Sequence, residues 1–347
     1  MDMKTLKADS LAHLSKHHGR LLNFWIEGHE RPDVSIENHC DMVYSLFLLG
    51  ELQNISGAAV DSFCGHVQTV ALPGWDAQND LGPSLSVHNC AYLFGAMNLL
   101  GLYFHNLYAR VLAGRTFNLA AIADADTLTP KFSAKWAHHS WRVSHWLGGV
   151  PSILLSLESS HSDSLPSSAS AAACRTAVDK LIDPGTGLIR AYKSTILQKL
   201  FRAAYGLRHS PDLGDMGGIA HILWIDHAMG KRYVAVDSIR EESSRLLQKN
   251  KPFMENVPYC LDFDVIQALR TSIQQTGTPA TASEIKRSSD LMISIEEFFK
   301  CTPDHFSLHK VPGALATHHE CSLLLGHAHS PSSNGPPLDV ILAAKWL

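Results

Sequence analysis

Asp262 and Asp264 stand in the segment PYCLDFDV, with apolar residues on both sides. A carboxyl group in such surroundings must be paired or protonated, and burial raises its pKa towards the range useful for general-acid work. Asp215 follows Gly214 and precedes Met216-Gly217-Gly218, so the chain around it leaves room for a ligand to approach. Two carboxylates facing each other across a cavity suit cleavage of a glycosidic bond. Asp215 and Asp262 are therefore the candidate catalytic carboxylates, and Asp264 a candidate substrate contact. The competing role for Asp264 is a structural ion pair with Arg270 or Arg142.

Histidine is the unusual component, with 21 in 347 residues. Neutral imidazole titrates near physiological pH and serves as acid or base; His88 and His145 are the candidates for that work. The stretch HHSWRVSHW, residues 138–146, packs three histidines with Trp141, Arg142 and Trp146, and His221 lies three residues before Trp224. The rings of Trp75, Trp141, Trp146 and Trp224 could stack on a sugar face. His39, Asp41, Asn89, His221 and Tyr259 complete the expected substrate-binding set. For any one of these, helix capping or core packing is the commoner role; the functional reading rests on several coinciding. No metal site is signalled. His318, His319 and Glu320 are consecutive and would point in different directions from a helix, and HExxH is absent. No cofactor is called for.

These residues recur in a pattern. Six times a short polar cluster leads into an apolar run rich in small residues, with the clusters opening at 39, 88, 145, 215, 259 and 318. The intervening segments, such as VDSIREESSRLLQK and SEIKRSSDLMISIEEFFK, carry apolar residues at helical spacing with charged faces between them. A helix apolar on most sides must be buried on most sides, and one with a charged face must lie outside. The expectation is an all-α chain, an (α/α)6-type toroid of helical hairpins, forming a single domain over residues 1–347. Gly95, Ala96, Gly148, Gly149, Gly217 and Gly218 would let neighbouring inner helices approach closely. Parallel inner helices would gather their polar starting ends at one mouth. The Ser-rich residues 158–170 read as a mobile loop, DPGTGL at 183–188 as a turn ending an outer helix, and 328–347 as a connector and tail that packs back on the body. The loop 73–86, which holds Trp75, reads as a functional loop.

The segments DPGTGL, GGIAHILWIDHAMGK and SHWLGGVPSILL resemble parts of the α/α-toroid superfamily, which includes six-hairpin glycosidases, polysaccharide lyases, sugar epimerases and terpenoid-cyclase-like toroids. The resemblance is architectural and covers most of residues 38–327. It implies a site at one mouth of the ring, among the inner-helix ends, and carries over no family's catalytic residues.

Composition narrows the functions. The net charge of −4, with no basic block, argues against nucleic acid as a partner. No run approaches the roughly 18 apolar residues that a membrane span needs, and the polar N-terminus lacks the apolar stretch of a secretory signal. The expected location is the cytoplasm and the expected partner a small-molecule substrate; the sequence leaves a homodimer open. Seven widely spaced cysteines without CxxC predict reduced, mostly buried thiols. The leading expectation is an enzyme acting on a small carbohydrate or uronide as hydrolase, lyase or epimerase by carboxylate and histidine acid-base catalysis. One alternative is a terpenoid-cyclase-like or other tailoring enzyme, although DDxxD and DxDD are absent. The other is a non-catalytic helical scaffold.

Overall fold

The computed structural model describes residues 3–71, 87–112, 140–160, 211–249, 257–301, 306–326 and 339–347. It also describes short pieces at 171–172, 175–176, 182–189 and 203–204 and the single positions 179, 196, 200 and 304. The chain is all-α. Among the described residues there is no strand, and Ile182 and Ile189 make one isolated antiparallel bridge. The helices are α1 (Met3–Glu27), α2 (Ile36–Leu48), α3 (Gly57–His66), α4 (Val87–Gly101), α5 (Leu107–Val111), α6 (Ser140–Ser160), α7 (Pro211–Ala228), α8 (Val236–Lys249), α9 (Cys260–Thr276), α10 (Ala282–Lys300), α11 (Lys310–Leu324) and α12 (Val340–Ala344). No described helix is long and apolar enough to cross a membrane.

Local chemistry sets several boundaries. The Ser35 side chain caps α2 by accepting the Asn38 N–H at 3.2 Å, with Glu37 in the first turn against the helix dipole. Thr281 and Glu284 form a reciprocal capping box at the start of α10. Helix α9 stops at Gly277, whose φ of +70° is the left-handed conformation that glycine adopts without penalty. The segment 183–188 is a tight turn: the amides of Thr186 and Gly187 both donate to the Asp183 carbonyl, and Asp183 in turn donates to Leu188. Residues 158–160, read from the sequence as the start of a loop, belong instead to the last turn of α6; residues 161–170 and the loop 73–86 lie outside the described residues.

Two kinds of helix are distinguished by burial. In α2 every residue from His39 to Phe47 is buried, in α9 every residue from Leu261 to Ser272, and in α11 every residue from Val311 to Ser322. In α10 burial is confined to one face: Glu284, Arg287, Ser288, Leu291, Met292, Ile295, Glu296 and Phe299. Helices α2, α9 and α11 pack in a series with α4, α6 and α7: α2 on α4, α4 on α6, α6 on α7, α7 on α9 and α9 on α11, and α11 packs back on α2. Helix α8 lies against α9 of this series and the one-sided α10 against α11, and α1 packs on α10 and α3. Each fully buried Val, Leu or Ile contributes about 1.5–3 kcal/mol, so the continuous apolar helices carry most of the driving force.

Glycines permit the closest approaches. A Cβ on Gly148 would lie 2.6 Å from the His221 carbonyl oxygen of α7, and one on Gly149 would lie 2.8 Å from Val87 of α4. The C-terminal segment 339–347 packs into the interior. The Tyr44 hydroxyl of α2 donates to the Trp346 carbonyl at 2.7 Å. The Asn98 amide of α4 donates to the Ala344 carbonyl at 2.9 Å, and the Ser152 hydroxyl of α6 to the Lys345 carbonyl at 2.9 Å. Asp339 meets His227 of α7 and Arg270 of α9. Cys40, Cys64, Cys90 and Cys321 are buried free thiols, Cys260 is half-buried and Cys301 exposed; Cys174 lies outside the described residues.

Candidate active site

A cavity of about 340 Å³ lies where the starts of several of these helices meet the C-terminal segment. Helix α4 contributes His88 and Tyr92, α6 contributes His145, and α7 contributes His221 and Trp224. The start of α9 supplies Tyr259, Cys260, Phe263 and Asp264, the start of α11 supplies Lys310, Pro312 and Gly313 with Ser307 and His309 just before it, and Leu347 closes the set.

The three histidines touch. His88 and His145 stack with ring centroids 4.4 Å apart, His145 and His221 meet edge-on at 5.1 Å, and His88 and His221 lie 6.3 Å apart. Burial, reinforced by the neighbouring His145, pushes the pKa of both His88 and His221 well below the usual histidine range. Both rings are therefore neutral at physiological pH. The His221 Nδ1 lies 2.7 Å from the Ser144 hydroxyl. Among the described residues, no three His, Cys, Asp or Glu side chains are grouped to hold a metal ion.

Asp264 is the carboxyl group of the cavity. It is 3% exposed and makes no hydrogen bond to another described residue. Burial raises its pKa well above the ordinary carboxylate range, and the nearby Asp262 carboxylate raises it further. Arg270, one of the two ion-pair partners that sequence reasoning offered for it, is engaged elsewhere, with Glu320 and Asp339; the side chain of the other, Arg142, lies outside the described residues. Asp264 thus has the environment of a protonated general acid. On the opposite chemical side, His309 Nδ1 lies 2.9 Å from Asp41, which also accepts the Tyr92 hydroxyl at 2.8 Å. The hydrogen bond to Asp41 raises the His309 pKa against the effect of burial, so this ring is more readily charged than His88 and His221. The Lys310 ammonium sits 5.6 Å from the Tyr259 ring centroid.

The residues singled out from sequence divide. His88, His145, His221, Trp224, Tyr259 and Asp264 line the cavity. Asp41 stands one layer behind, holding Tyr92 and His309. Asp262 is drawn into the helix start, where its carboxylate accepts the Tyr259 backbone N–H at 3.2 Å; it caps α9 and does not line the cavity. Asp215 is fully buried in the first turns of α7, away from the lining. His39 packs among Phe24, Trp25 and Phe63, with neither ring nitrogen hydrogen-bonded, and burial lowers its pKa to about 3. Asn89 donates to Glu37. Trp141, Arg142 and Trp146 are placed by the backbone on the first two turns of α6, and Trp75 lies outside the described residues.

Sequence reasoning missed His309, Lys310 and Trp346. It opened the sixth apolar helix at His318-His319-Glu320, whereas α11 begins at Lys310 and carries those residues in its second half. The signal was present: Pro312 falls in the first turn, where a missing N–H costs nothing.

Compared with known proteins, the chain matches no family model, no curated protein and no solved structure.

Proposed function

We propose that this chain is an enzyme that moves a proton next to the carboxylate of a small sugar acid, as a uronide lyase or epimerase, in an (α/α)6 toroid. The toroid reading is supported by the closed series α2, α4, α6, α7, α9 and α11, and by α8 and α10 lying against α9 and α11. The observation that carries the chemistry is the company of Asp264: one buried carboxyl group, its pKa raised by burial, facing a cavity with three clustered histidines.

Hydrolysis of a glycosidic bond uses two carboxyl groups across the scissile bond. Among the described residues the cavity presents one. A neutral histidine is suited to take the proton from the carbon beside a carboxylate, and a protonated carboxyl group to return one. In an elimination, Asp264 gives its proton to the departing glycosidic oxygen as the carbon–oxygen bond breaks. In an epimerisation it gives the proton back to carbon from the opposite face. Negative charge that builds on the substrate carboxylate during removal of the carbon-bound proton falls near Lys310 and His309 at the start of α11, where the helix dipole is also positive. Trp224 and Tyr259 offer flat faces to a pyranose ring. The cavity volume lies at the lower end of small-molecule sites and suits one or two sugar residues.

The test is incubation with a panel of uronic acids and short oligouronides, read by chromatography that resolves epimers coupled to mass spectrometry. The expected products keep the substrate's mass or divide it without adding water. Products that gain water across the glycosidic bond, or no product from any member of the panel, would overturn the reading.

A further inference from the structure

Trp346 makes two contacts with the histidine cluster. Its indole Nε1 lies 3.2 Å from Nδ1 of His88, and its ring stacks on His221 at 4.7 Å with the planes 18° apart. It is itself fully buried. Its far edge is braced by Trp224 at 5.3 Å, and its backbone carbonyl is held by the Tyr44 hydroxyl. The residue that orders these two rings arrives from the far end of the chain.

An indole N–H donates and cannot accept. The Nδ1 of His88 must therefore be the acceptor, and a neutral imidazole that accepts at Nδ1 carries its proton on Nε2. The Nε2 of His88 makes no hydrogen bond to another described residue, and His88 lines the cavity. We infer that Trp346 is a positioning residue that locks His88 as the Nε2–H tautomer, so that His88 offers the substrate a hydrogen-bond donor and leaves proton abstraction to His145 or His221. The role assigned to His88 rests on reading the cavity as the active site; the tautomer itself does not.

The division of labour has chemical content. A base needs an unprotonated nitrogen facing the carbon acid, and a ring held as the Nε2–H form has none on that side. A fixed donor aimed at a substrate oxygen instead stabilises charge as it forms, without reorganising at the moment of reaction. The same tautomer makes His88 unsuited to ligate a metal through Nε2, because that nitrogen would first have to lose its proton while Nδ1 stayed engaged by Trp346.

The decisive measurement is a long-range proton–nitrogen NMR correlation of histidine-ring-labelled full-length protein near neutral pH, without substrate. The His88 signals are assigned by their loss in His88→Gln. The expected result is a neutral His88 with Nδ1 unprotonated and Nε2 protonated, shifting towards the Nδ1–H form or a mixture in Trp346→Phe. A wild-type His88 protonated at Nδ1, or a pattern unchanged in folded Trp346→Phe, overturns the inference. Should Trp346→Phe fail to fold, the wild-type tautomer alone decides. Because no turnover is needed, a failed search for substrate leaves this test intact. Once an assay exists, Gln at position 88 places an amide donor near Nε2, whereas Asn places one near Nδ1. His88→Gln should therefore keep more activity than His88→Asn, and the reverse order would contradict the donor role.

Discussion

Arg270 Nη2 meets the Asp339 carboxylate at 2.5 Å, joining the middle of α9 to the C-terminal segment 69 residues later. Both groups are nearly fully buried. Glu320 of α11 binds the same guanidinium, and His227 of α7 binds the same carboxylate at 2.7 Å. Burial alone would raise the Asp339 pKa; the hydrogen bond from His227 and the charge of Arg270 override it and hold the carboxyl group well below its usual range. Asp339 also caps α12 by accepting the N–H groups of Ile341 and Leu342. One side chain thus anchors the segment that brings Trp346 to His88 and His221.

Removing one partner of a buried ion pair leaves the other charge uncompensated, which costs about 3–5 kcal/mol. Asp339→Ala is expected to lose stability of that order in urea denaturation, with a smaller loss in Asp339→Asn, which can still cap α12. An unchanged denaturation midpoint in Asp339→Ala would mean that the segment is not docked as described.

Asp262 and Asp264 have separable roles. Asp264→Asn should abolish turnover while leaving the melting temperature within a few degrees. Asp262 raises the Asp264 pKa through its charge. Asp262→Asn should therefore lower that pKa. Because Asp264 must be protonated to act as an acid, activity is lost as pH rises through its pKa, so the alkaline limb of the pH–rate profile should move to lower pH in Asp262→Asn. A limb that stays in place, or moves up, contradicts the assignment. Loss of the cap should cost about 1 kcal/mol in Asp262→Ala.

These two residues show what was legible in the sequence. Both sit in the same apolar run, and composition cannot rank them. Only the observed start of α9 at Cys260 makes Asp262 the third residue of the first turn, where it turns back to the Tyr259 amide, and leaves Asp264 to face the cavity. The apolar helices themselves were readable, because a stretch buried all round, such as Cys90–Met97 of α4, is apolar or small on every side. The start of α11 was misread because His318, His319 and Glu320 form the more conspicuous polar cluster. They are buried in the helix, where His318 meets Glu296 at 3.0 Å and Glu320 binds Arg270. Trp346 could not be found from LDVILAAKWL, since nothing local in that segment specifies a partner on α4.

Acid should destabilise the fold through two buried imidazoles. Burial, with the neighbouring His17, His18 and Lys16, lowers the His13 pKa from 6.5 to about 4. Burial, with Arg31 and His66, lowers that of His39 to about 3. Between those values and 6.5 the unfolded chain binds more protons than the folded one, so stability falls as pH drops from about 6.5, and this contribution stops changing below about 3. At about 1.4 kcal/mol per pKa unit, each ring accounts for a few kcal/mol. The melting temperature should fall steadily from pH 6.5 to 4, and more shallowly in His13→Phe with His39→Phe. Identical pH profiles in the two proteins would contradict this.

Gly148→Ala should loosen the contact between α6 and α7. The added Cβ would meet the His221 carbonyl oxygen at 2.6 Å, a backbone atom that cannot swing aside. A loss of about 1–3 kcal/mol is expected, with displacement of His221 in the cavity. Wild-type stability in this variant would mean that the two helices lie further apart.

The most direct measurement is turnover of a uronide in deuterium oxide, with the label located by mass spectrometry or NMR. The carbon beside the carboxylate should exchange its hydrogen for deuterium from solvent, or lose it to solvent in elimination, and Asp264→Asn should stop product formation. A product that retains its original hydrogen at that carbon, formed equally well by Asp264→Asn, would contradict the proposed chemistry.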